Sequence, residues 1–322
     1  MVKRPKENPL TECILADSSE QGVQGVAALP HRLNRYGRAH QRALHMGDYA
    51  EQTGACHLAM KLRRCGHWLV FRHYYTVDSL RLHKADFCKK HLLCPLCAIR
   101  RGTKYLKAYM DKLSVVLQDH PALKAYMVTV TVKDGPDLME RFTHLRSAMK
   151  SMTQARRNYL MDPTRRPHVE FARALGGVHS IEVKRGENSG QWHPHAHMVW
   201  LCHEEPDQLK LASEWKAWTN DSFIVDVRPF HDQSDVVSGF LEVFKYALKF
   251  SELPLEDNWA AFSALAGKRL VDSFGVLRGV EVPDDLTDEP LDDLPFIELF
   301  YRWFDRAGYG LAKTVRSEDV IA

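Results

Sequence analysis

The spacing of apolar residues predicts both helices and strands along the middle of the chain. Apolar side chains recur every three or four positions in four segments, which we predict to be helices: 98–118, 137–159, 206–219 and 234–250. Shorter β-prone runs predict four strands: 125–135, 176–186, 191–202 and 222–229. The sequence GENSG lies between the second and third strands and indicates a β-hairpin.

The order of these elements predicts the fold class. Strand, helix, hairpin, helix, strand and helix in succession favour an α+β protein, in which an antiparallel β-sheet carries flanking helices. A doubly wound parallel sheet of the Rossmann type is not indicated. Neither GxGxxG nor GxxxxGK[ST] occurs, so nothing supports nucleotide binding through those phosphate loops.

Charge is distributed unevenly along the 322 residues. Residues 1–117 carry 20 Lys and Arg against 9 Asp and Glu, whereas residues 251–322 carry 7 against 15. The basic N-terminal third suggests a polyanionic partner such as nucleic acid, although a solvated basic surface would give the same counts. No apolar run is long enough to span a bilayer or to form a signal peptide, so we expect a cytoplasmic protein without membrane association.

The first candidate for metal binding is the sequence His193–Pro194–His195–Ala196–His197 in a predicted strand. Alternate residues of a strand share a face, so the three imidazoles would project together. Two of them can chelate a divalent ion, and Glu182 in the preceding strand is well placed to be a third ligand. Such a mixed site with an open position suits a metal that acts as a Lewis acid. The alternative is three histidines without a ligand role.

The second candidate is a cluster of cysteines that ends in Cys94–Pro95–Leu96–Cys97. With Cys65 and Cys88 these residues provide four thiolates, which form a closed, structural zinc site. Three nearby residues compete for the same role: Cys56, His67 and His91. Buried free cysteines are the alternative interpretation.

The third candidate is a set of polar residues on the predicted helix 234–250. Glu242 and Tyr246 are four residues apart and share a helix face, and Lys249 lies three residues further on the same side. A phenol can serve as a covalent nucleophile, and a neighbouring carboxylate can activate water. A solvated helix surface would show the same spacing.

Together these features resemble the replication initiator (Rep) proteins of small rolling-circle plasmids, within the class of HUH endonucleases. The resemblance covers roughly residues 60–250. It rests on four segments in this order: FCKKHLLCPLCAIRR (87–101), YMVTVTVKDG (126–135), WHPHAHMVWL (192–201) and EVFKYALK (242–249). The tyrosine follows the histidine motif, as in Rep proteins; conjugative relaxases have the opposite order.

The resemblance implies roles for individual residues. His195 and His197 match the two histidines that bind the catalytic Mg²⁺ or Mn²⁺, with Glu182 as the third ligand; the role of His193 stays open. Ala196 is smaller than the residue usual between these histidines. Three residues match the catalytic set of the single-tyrosine branch: Tyr246 as nucleophile, Glu242 in place of a second tyrosine, and Lys249 as a cation that either stabilises the phosphate or lowers the pKa of the phenol.

The resemblance also implies the substrate and the partners. The protein would nick a plasmid double-strand origin whose nick site is single-stranded, form a 5′-phosphotyrosyl intermediate, and depend on a host helicase and polymerase. Four basic residues near the zinc site are expected to contact the DNA backbone: Lys89, Lys90, Arg100 and Arg101.

We therefore predict four regions: a flexible basic lead-in (1–50), a zinc-binding, DNA-contacting subdomain (51–104), an HUH nicking domain with a ferredoxin-like palm (105–252), and an acidic helical region (253–322). Two other functions fit parts of the pattern. An HUH transposase shares the metal site and the nucleophile, and a non-catalytic zinc-dependent DNA-binding regulator would need neither. A generic metallohydrolase leaves the Glu242 and Tyr246 pair unexplained.

Overall fold

A computed structural model describes residues 13–14, 16–17, 25–230, 233–246, 253–291 and 293–319. The chain forms two compact units. The first unit comprises Met1–Tyr105, Pro254–Trp259 and Val282–Ala322, and the second comprises Leu106–Leu253 and Ala260–Glu281. None of the helices within the described ranges is both long enough and apolar enough to cross a membrane.

The first unit contains a four-stranded antiparallel sheet with helices. In chain order its elements are α1 (Leu29–Gln52), α2 (Cys56–Arg64), β1 (Trp68–Tyr74), β2 (Ser79–Ala85), the start of α3 (Pro95–Asp119), β8 (Ile297–Phe304) and β9 (Gly308–Arg316). The strand order is β2-β1-β8-β9. Phe71 of β1 and Tyr301 of β8 meet edge to face, and the guanidinium of Arg32 on α1 lies over the ring of Phe71. One face of the sheet is therefore covered by α1.

The second unit contains a five-stranded antiparallel sheet. Its strands are β3 (Lys124–Thr131), β4 (Ala174–Arg185), β5 (Trp192–Cys202), β6 (Val225–Pro229) and β7 (Val271–Gly275), in the order β6-β3-β5-β4-β7. Its other helices are α4 (Leu138–Met161), α5 (Gln208–Thr219) and α6 (Gln233–Tyr246), and α7 (Leu255–Leu265) has residues in both units. The predicted fold class, antiparallel sheet with flanking helices, is confirmed.

Helix α4 shows how sequence and packing agree in this unit. The side chain of Asp137 caps the helix by accepting a hydrogen bond of 2.8 Å from the backbone N–H of Glu140. The apolar residues predicted to share a face are all buried: Leu138, Phe142, Leu145, Met149 and Met152. These side chains stabilise the helix mainly by removing apolar surface from water.

Two segments differ from the prediction. Residues 29–52 form α1 instead of a flexible lead-in, and residues 297–316 form the hairpin of β8 and β9 instead of helix. The buried side of α1 includes Arg32 and His40, so its hydrophobic period is faint. Aromatic residues lie on both faces of β8, which removes the simple alternation expected of a strand.

A buried ion-pair cluster explains why α1 is ordered. It consists of Asp17, Arg32, Tyr36, Arg100 and Asp288. Arg100 lies 3.0 Å from Asp17 and 2.5 Å from Asp288, and Arg32 lies 2.8 Å from Asp288. Burial raises the pKa of Asp288, but the charges of Arg100 and Arg32 outweigh this effect and hold the pKa well below its usual range. The acidic segment that contains Asp288 is thus part of the first unit.

We expect Asp288→Asn to destabilise the protein by about 3–5 kcal/mol, because it leaves two buried guanidiniums with one carboxylate. Asp284→Asn is the matched control: its side chain is 92% exposed and pairs with Arg101, so we expect a loss of less than about 1 kcal/mol. Urea unfolding followed by circular dichroism measures both.

The difference between wild type and Asp288→Asn should narrow as the pH falls below about 4. A carboxyl group with a lowered folded-state pKa contributes stability above its unfolded pKa and loses that contribution as it becomes protonated. Equal stability of Asp288→Asn and wild type at pH 7 would contradict the importance of the cluster.

Candidate metal centres

The hairpin of β4 and β5 brings three predicted ligands together. Glu182 of β4 lies directly opposite His195 of β5, and His197 follows two residues along the same face. The Nε2 atoms of His195 and His197 lie 2.5 Å and 3.2 Å from the same carboxylate oxygen of Glu182. The three residues are only 4–8% exposed. A carboxylate and two imidazoles therefore converge on one point, in an arrangement that could hold a metal ion.

The outward nitrogens of both rings have partners that fix their orientation. Nδ1 of His197 lies 3.2 Å from the hydroxyl of Thr129, which faces His197 from β3. Nδ1 of His195 lies 3.3 Å from the carbonyl oxygen of His193. Such contacts orient an imidazole so that its other nitrogen faces the metal.

His193 lies outside this three-residue group. Its Nδ1 is 2.6 Å from a carboxylate oxygen of Asp134, in the segment that follows β3. Asp134 also accepts a hydrogen bond from Ser189, in the turn of the hairpin. Asp134 thus links the segment after β3 to both the first residues of β5 and the turn of the hairpin.

Charge in the group favours a divalent cation. Burial lowers the pKa of His197 to about 4, against the opposing effect of Glu182, so the imidazole is neutral at pH 7. Burial raises the pKa of Glu182, but hydrogen bonds from His195 and His197 more than reverse this, and the carboxyl is ionised. An ionised carboxylate beside a neutral imidazole provides the ligand types that Mg²⁺, Mn²⁺ and other divalent ions use.

Helix α6 packs against β4 and β5 and carries Glu242 and Tyr246, two of the three predicted catalytic residues. Phe240, Leu241, Val243 and Phe244 are buried. Glu242, with a side chain 34% exposed, lies close enough to His197 for its charge to raise the pKa of that imidazole. The carboxylate of Glu242 is thus near the three-residue group.

Lys245 is a residue that the sequence analysis missed. It is 4% exposed, and its Nζ donates to both carboxylate oxygens of Glu242 at 2.6 Å. The spacing of three residues on a helix is the signal that could have revealed this pair. Tyr246 is the last residue of α6; its side chain, and the whole of Lys249, lie outside the described residues.

The four predicted cysteines form a second group. Cys65 follows α2, Cys88 follows β2, and Cys94 and Cys97 lie at the start of α3. The sulfur of Cys65 is 3.5 Å from those of Cys94 and Cys97, and Cys88 is 3.6 Å from Cys97. A tetrahedral zinc ion with bonds of about 2.3 Å separates its sulfurs by roughly 3.8 Å. The spacing therefore fits zinc, and all four sulfurs lie within 4.8 Å of one another.

The competing ligands do not belong to this group. Cys56 is exposed, and neither His67 nor His91 is part of the four-residue arrangement. Hydrogen bonds with the other three cysteines and burial raise the pKa of Cys94. A bound zinc ion would supply the positive charge that favours the ionised thiolates.

The structure argues against one predicted DNA contact. Arg100 is fully buried in the ion-pair cluster, where it also donates to the carbonyl oxygen of Leu286 at 2.7 Å. Arg101 donates to the carbonyl oxygen of Pro283 at 2.7 Å and lies over the ring of Tyr105. Lys89 is exposed and Lys90 is half-buried, so these two stay candidates.

A comparison with known families identifies the family of the chain. The family model described as Replication protein (Rep_1) matches residues 79–298, a range that contains His195, His197 and three of the four cysteines. The chain belongs to this family. The predicted resemblance to plasmid replication initiators is thereby confirmed.

Two relatives of the family show how far the likeness extends. The Protein rep of Streptococcus pneumoniae serotype 2 is 25% identical over 254 residues, which cover 74% of this chain and 76% of that protein. The Protein rep of Lactiplantibacillus plantarum is 24% identical over 258 residues, covering 73% and 78%. No solved structure matches the chain.

We expect one zinc ion per chain in the purified replication protein, and its loss in Cys94→Ser, because three thiolates leave the site open. Elemental analysis after gel filtration measures the content. Cys56→Ser is the matched control and should retain zinc, since Cys56 is exposed and lies apart from the group. Full zinc content in Cys94→Ser would refute the assignment.

Proposed function

We propose that the protein nicks and rejoins DNA at a plasmid double-strand origin, starting and ending rolling-circle replication through a tyrosyl intermediate. The observation that carries this proposal is the position of α6. The helix that holds Glu242 and Tyr246 packs against the two strands that hold Glu182, His195 and His197. A nucleophile, a second-step base and a metal group within one unit are what two successive phosphate cleavages by one active site require.

The metal group would hold Mg²⁺ or Mn²⁺. Bound there, a divalent ion supplies Lewis acidity that polarises the scissile phosphate. Glu182 contributes the negative charge, and His195 and His197 contribute neutral nitrogens. Their partners Thr129 and the carbonyl oxygen of His193 restrict the rings to one orientation.

Tyr246 is assigned the first transfer. Its phenolic oxygen, having lost its proton, attacks the scissile phosphorus and forms a phosphotyrosyl bond at the 5′ side. The bond from phosphorus to the 3′ oxygen breaks, and that oxygen takes up a proton to become a 3′-hydroxyl. A host polymerase would extend this end while a host helicase opens the duplex. Lys249 is assigned to the developing negative charge on the phosphate.

Glu242 is assigned the terminating step. Its carboxylate accepts a proton from a water molecule as the water oxygen attacks the phosphorus at the regenerated origin, and the 3′ oxygen leaves as a hydroxyl. Lys245 is a positioning residue, because its ammonium holds both oxygens of Glu242. The 3′-hydroxyl freed by this cut then attacks the phosphotyrosyl phosphorus, which rejoins the displaced strand, and the oxygen of Tyr246 leaves and regains its proton. A water-activating carboxylate lets the reaction end there, where a second tyrosine would begin another cycle.

We expect Tyr246→Phe to reduce covalent protein–DNA adduct by at least ~10³-fold, as loss of a nucleophile does in other enzymes. The assay mixes protein with supercoiled plasmid bearing the cognate origin, or with a labelled single-stranded nick-site oligonucleotide, in Mn²⁺ or EDTA. Denaturing gels separate the products. Tyr159→Phe is the matched control in the same unit and should form adduct normally.

Two further variants separate the steps. Glu182→Ala should abolish the difference in adduct yield between Mn²⁺ and EDTA. Glu242→Ala should form the first adduct but fail to cut a regenerated origin.

Adduct formation by Tyr246→Phe would show that another residue is the nucleophile. Tight origin binding without cleavage by wild type would favour a DNA-binding regulator, and cleavage of paired transposon ends alone would favour a transposase.

A further inference from the structure

We propose that the face of the four-stranded sheet opposite α1 in the first unit binds single-stranded DNA. The proposal rests on the proposed function in so far as an origin exposes single strand next to the nick. Helix α1 covers one face of this sheet. We call the opposite face, which carries Trp68, Arg72, Phe300 and Arg302, the outer face.

The strand register places these residues together. Trp68 lies opposite Arg302, and Arg72 lies opposite Glu298, so alternate positions of β1 and β8 share the outer face. Lys313 of β9 lies opposite Phe300. The outer face thus combines aromatic and basic side chains from three adjacent strands.

Aromatic rings on the outer face are partly accessible to solvent. The rings of Trp68 and Phe300 are parallel within 9°, with centroids 6.0 Å apart, and both are half-buried. Phe304, at the end of β8, is 47% exposed. Its ring lies over Gly310, where a Cβ atom would approach to 3.0 Å. Exposed aromatic clusters mark binding surfaces, and nucleobases stack on such rings.

Positive charge surrounds these rings. Glu298, an acidic residue of the outer face, pairs with Arg72 at 3.0 Å. The positive charges of the other basic residues on this face are therefore not neutralised by Glu298. Lys84, Arg302 and Lys313 are exposed. Within the described parts of the chain, no carboxylate lies within 4.0 Å of any of these three. The surface therefore presents net positive charge to a polyanion.

One pair of arginines adds a separate argument for an anion. Arg81 of β2 lies directly opposite Arg72 of β1, and like charges in that position destabilise a sheet. The Nε atom of Arg81 is buried and has no hydrogen-bond partner in the described structure. A phosphate beside the guanidinium of Arg81 would offset the part of this repulsion that the pairing of Arg72 with Glu298 leaves.

The cysteine group lies at the end of the same strands. Cys65 precedes β1 by three residues, and Cys88 follows β2 by three residues. A bound zinc ion would therefore hold the ends of both strands together, next to Trp68 and Lys84. This gives the metal a structural part in shaping the outer face.

The aromatic rings on the outer face favour single-stranded DNA over duplex DNA as its partner. In a duplex the bases stack on one another and offer a protein mainly phosphates and groove edges, whereas a single strand can lay its bases on protein rings. A face with aromatic residues between basic ones matches the single strand. Duplex DNA is the alternative that the experiment distinguishes.

The test uses the full chain, a fluorescein-labelled 20-nucleotide oligo-dT and a 20-base-pair duplex, without divalent ions, and measures affinity by fluorescence anisotropy across a salt series. We expect Arg302→Glu and Lys313→Glu each to weaken oligo-dT binding at least fivefold. Each should also reduce the slope of log affinity against log salt by about 0.7, the value for one phosphate contact on single strand. Phe304→Ala should weaken binding at least fivefold with the slope unchanged.

Lys61→Glu is the matched control. Lys61 is exposed on α2, which packs against α1, and its reversal changes the net charge by the same amount. It should leave affinity within about twofold of wild type. Equal effects of Arg302→Glu and Lys61→Glu, or a loss confined to the duplex, would overturn the proposal. Circular dichroism and zinc content confirm that each variant is folded.

The nicking assay separates this proposal from the proposed function. A Phe304→Ala protein that binds oligo-dT weakly yet forms adduct at saturating protein concentration supports the outer face as a binding surface distinct from the catalytic group. Wild type that binds oligo-dT and forms no adduct with its nick-site oligonucleotide contradicts the nicking proposal and leaves the outer face supported.

Discussion

The antiparallel register of β4 and β5 is the constraint on which the candidate chemistry depends. Glu182 meets His195 because the two residues are directly opposed, and His197 joins them because a strand returns to the same face every second residue. A shift of one residue would turn Glu182 to the other face of the sheet. The flanking strands β3 and β7 on either side of this hairpin, and the helix α6 packed on it, stabilise that register. The sheet therefore positions three ligand atoms without a dedicated loop.

The first unit is organised by buried charge rather than by a regular apolar pattern. Its ion-pair cluster joins residues from α1, the start of α3 and the acidic segment, and Asp288 also accepts a hydrogen bond of 2.6 Å from the backbone N–H of Leu82 in β2. Each guanidinium is costly to bury, and removal of one partner leaves the others unpaired. Segments far apart in the chain are thus mutually dependent, which explains why the acidic segment belongs to this unit and not to a separate region.

Local patterns were enough to predict most of the second unit, but in the first unit they predicted the cysteine group and little of the surrounding fold. Short-range structure determines the alternating histidines, the hairpin turn and the apolar face of α4. The sequence therefore predicted the group around Glu182 and the strands beside it. Pairing of β1 with β8 joins residues more than 220 positions apart, and no periodicity reports it. From the sequence, Arg100 beside a zinc motif was predicted to be a cation on the surface. Its burial depends on ion pairs with Asp17 and Asp288, which are distant in the chain and which no local pattern predicts.

The distribution of charge follows from these two kinds of organisation. Under the proposed function, a divalent ion held by Glu182, His195 and His197 would supply positive charge at the reacting phosphate. Residues 118–250 would then need no excess of basic side chains, and they carry 17 of each sign. Contact with the rest of a DNA strand has no such local cation and requires Lys and Arg. The excess of basic residues lies in the N-terminal third, where some of it is neutralised inside the ion-pair cluster. The basic residues of this third that are exposed, such as Lys84 on the sheet, are the ones that DNA can contact.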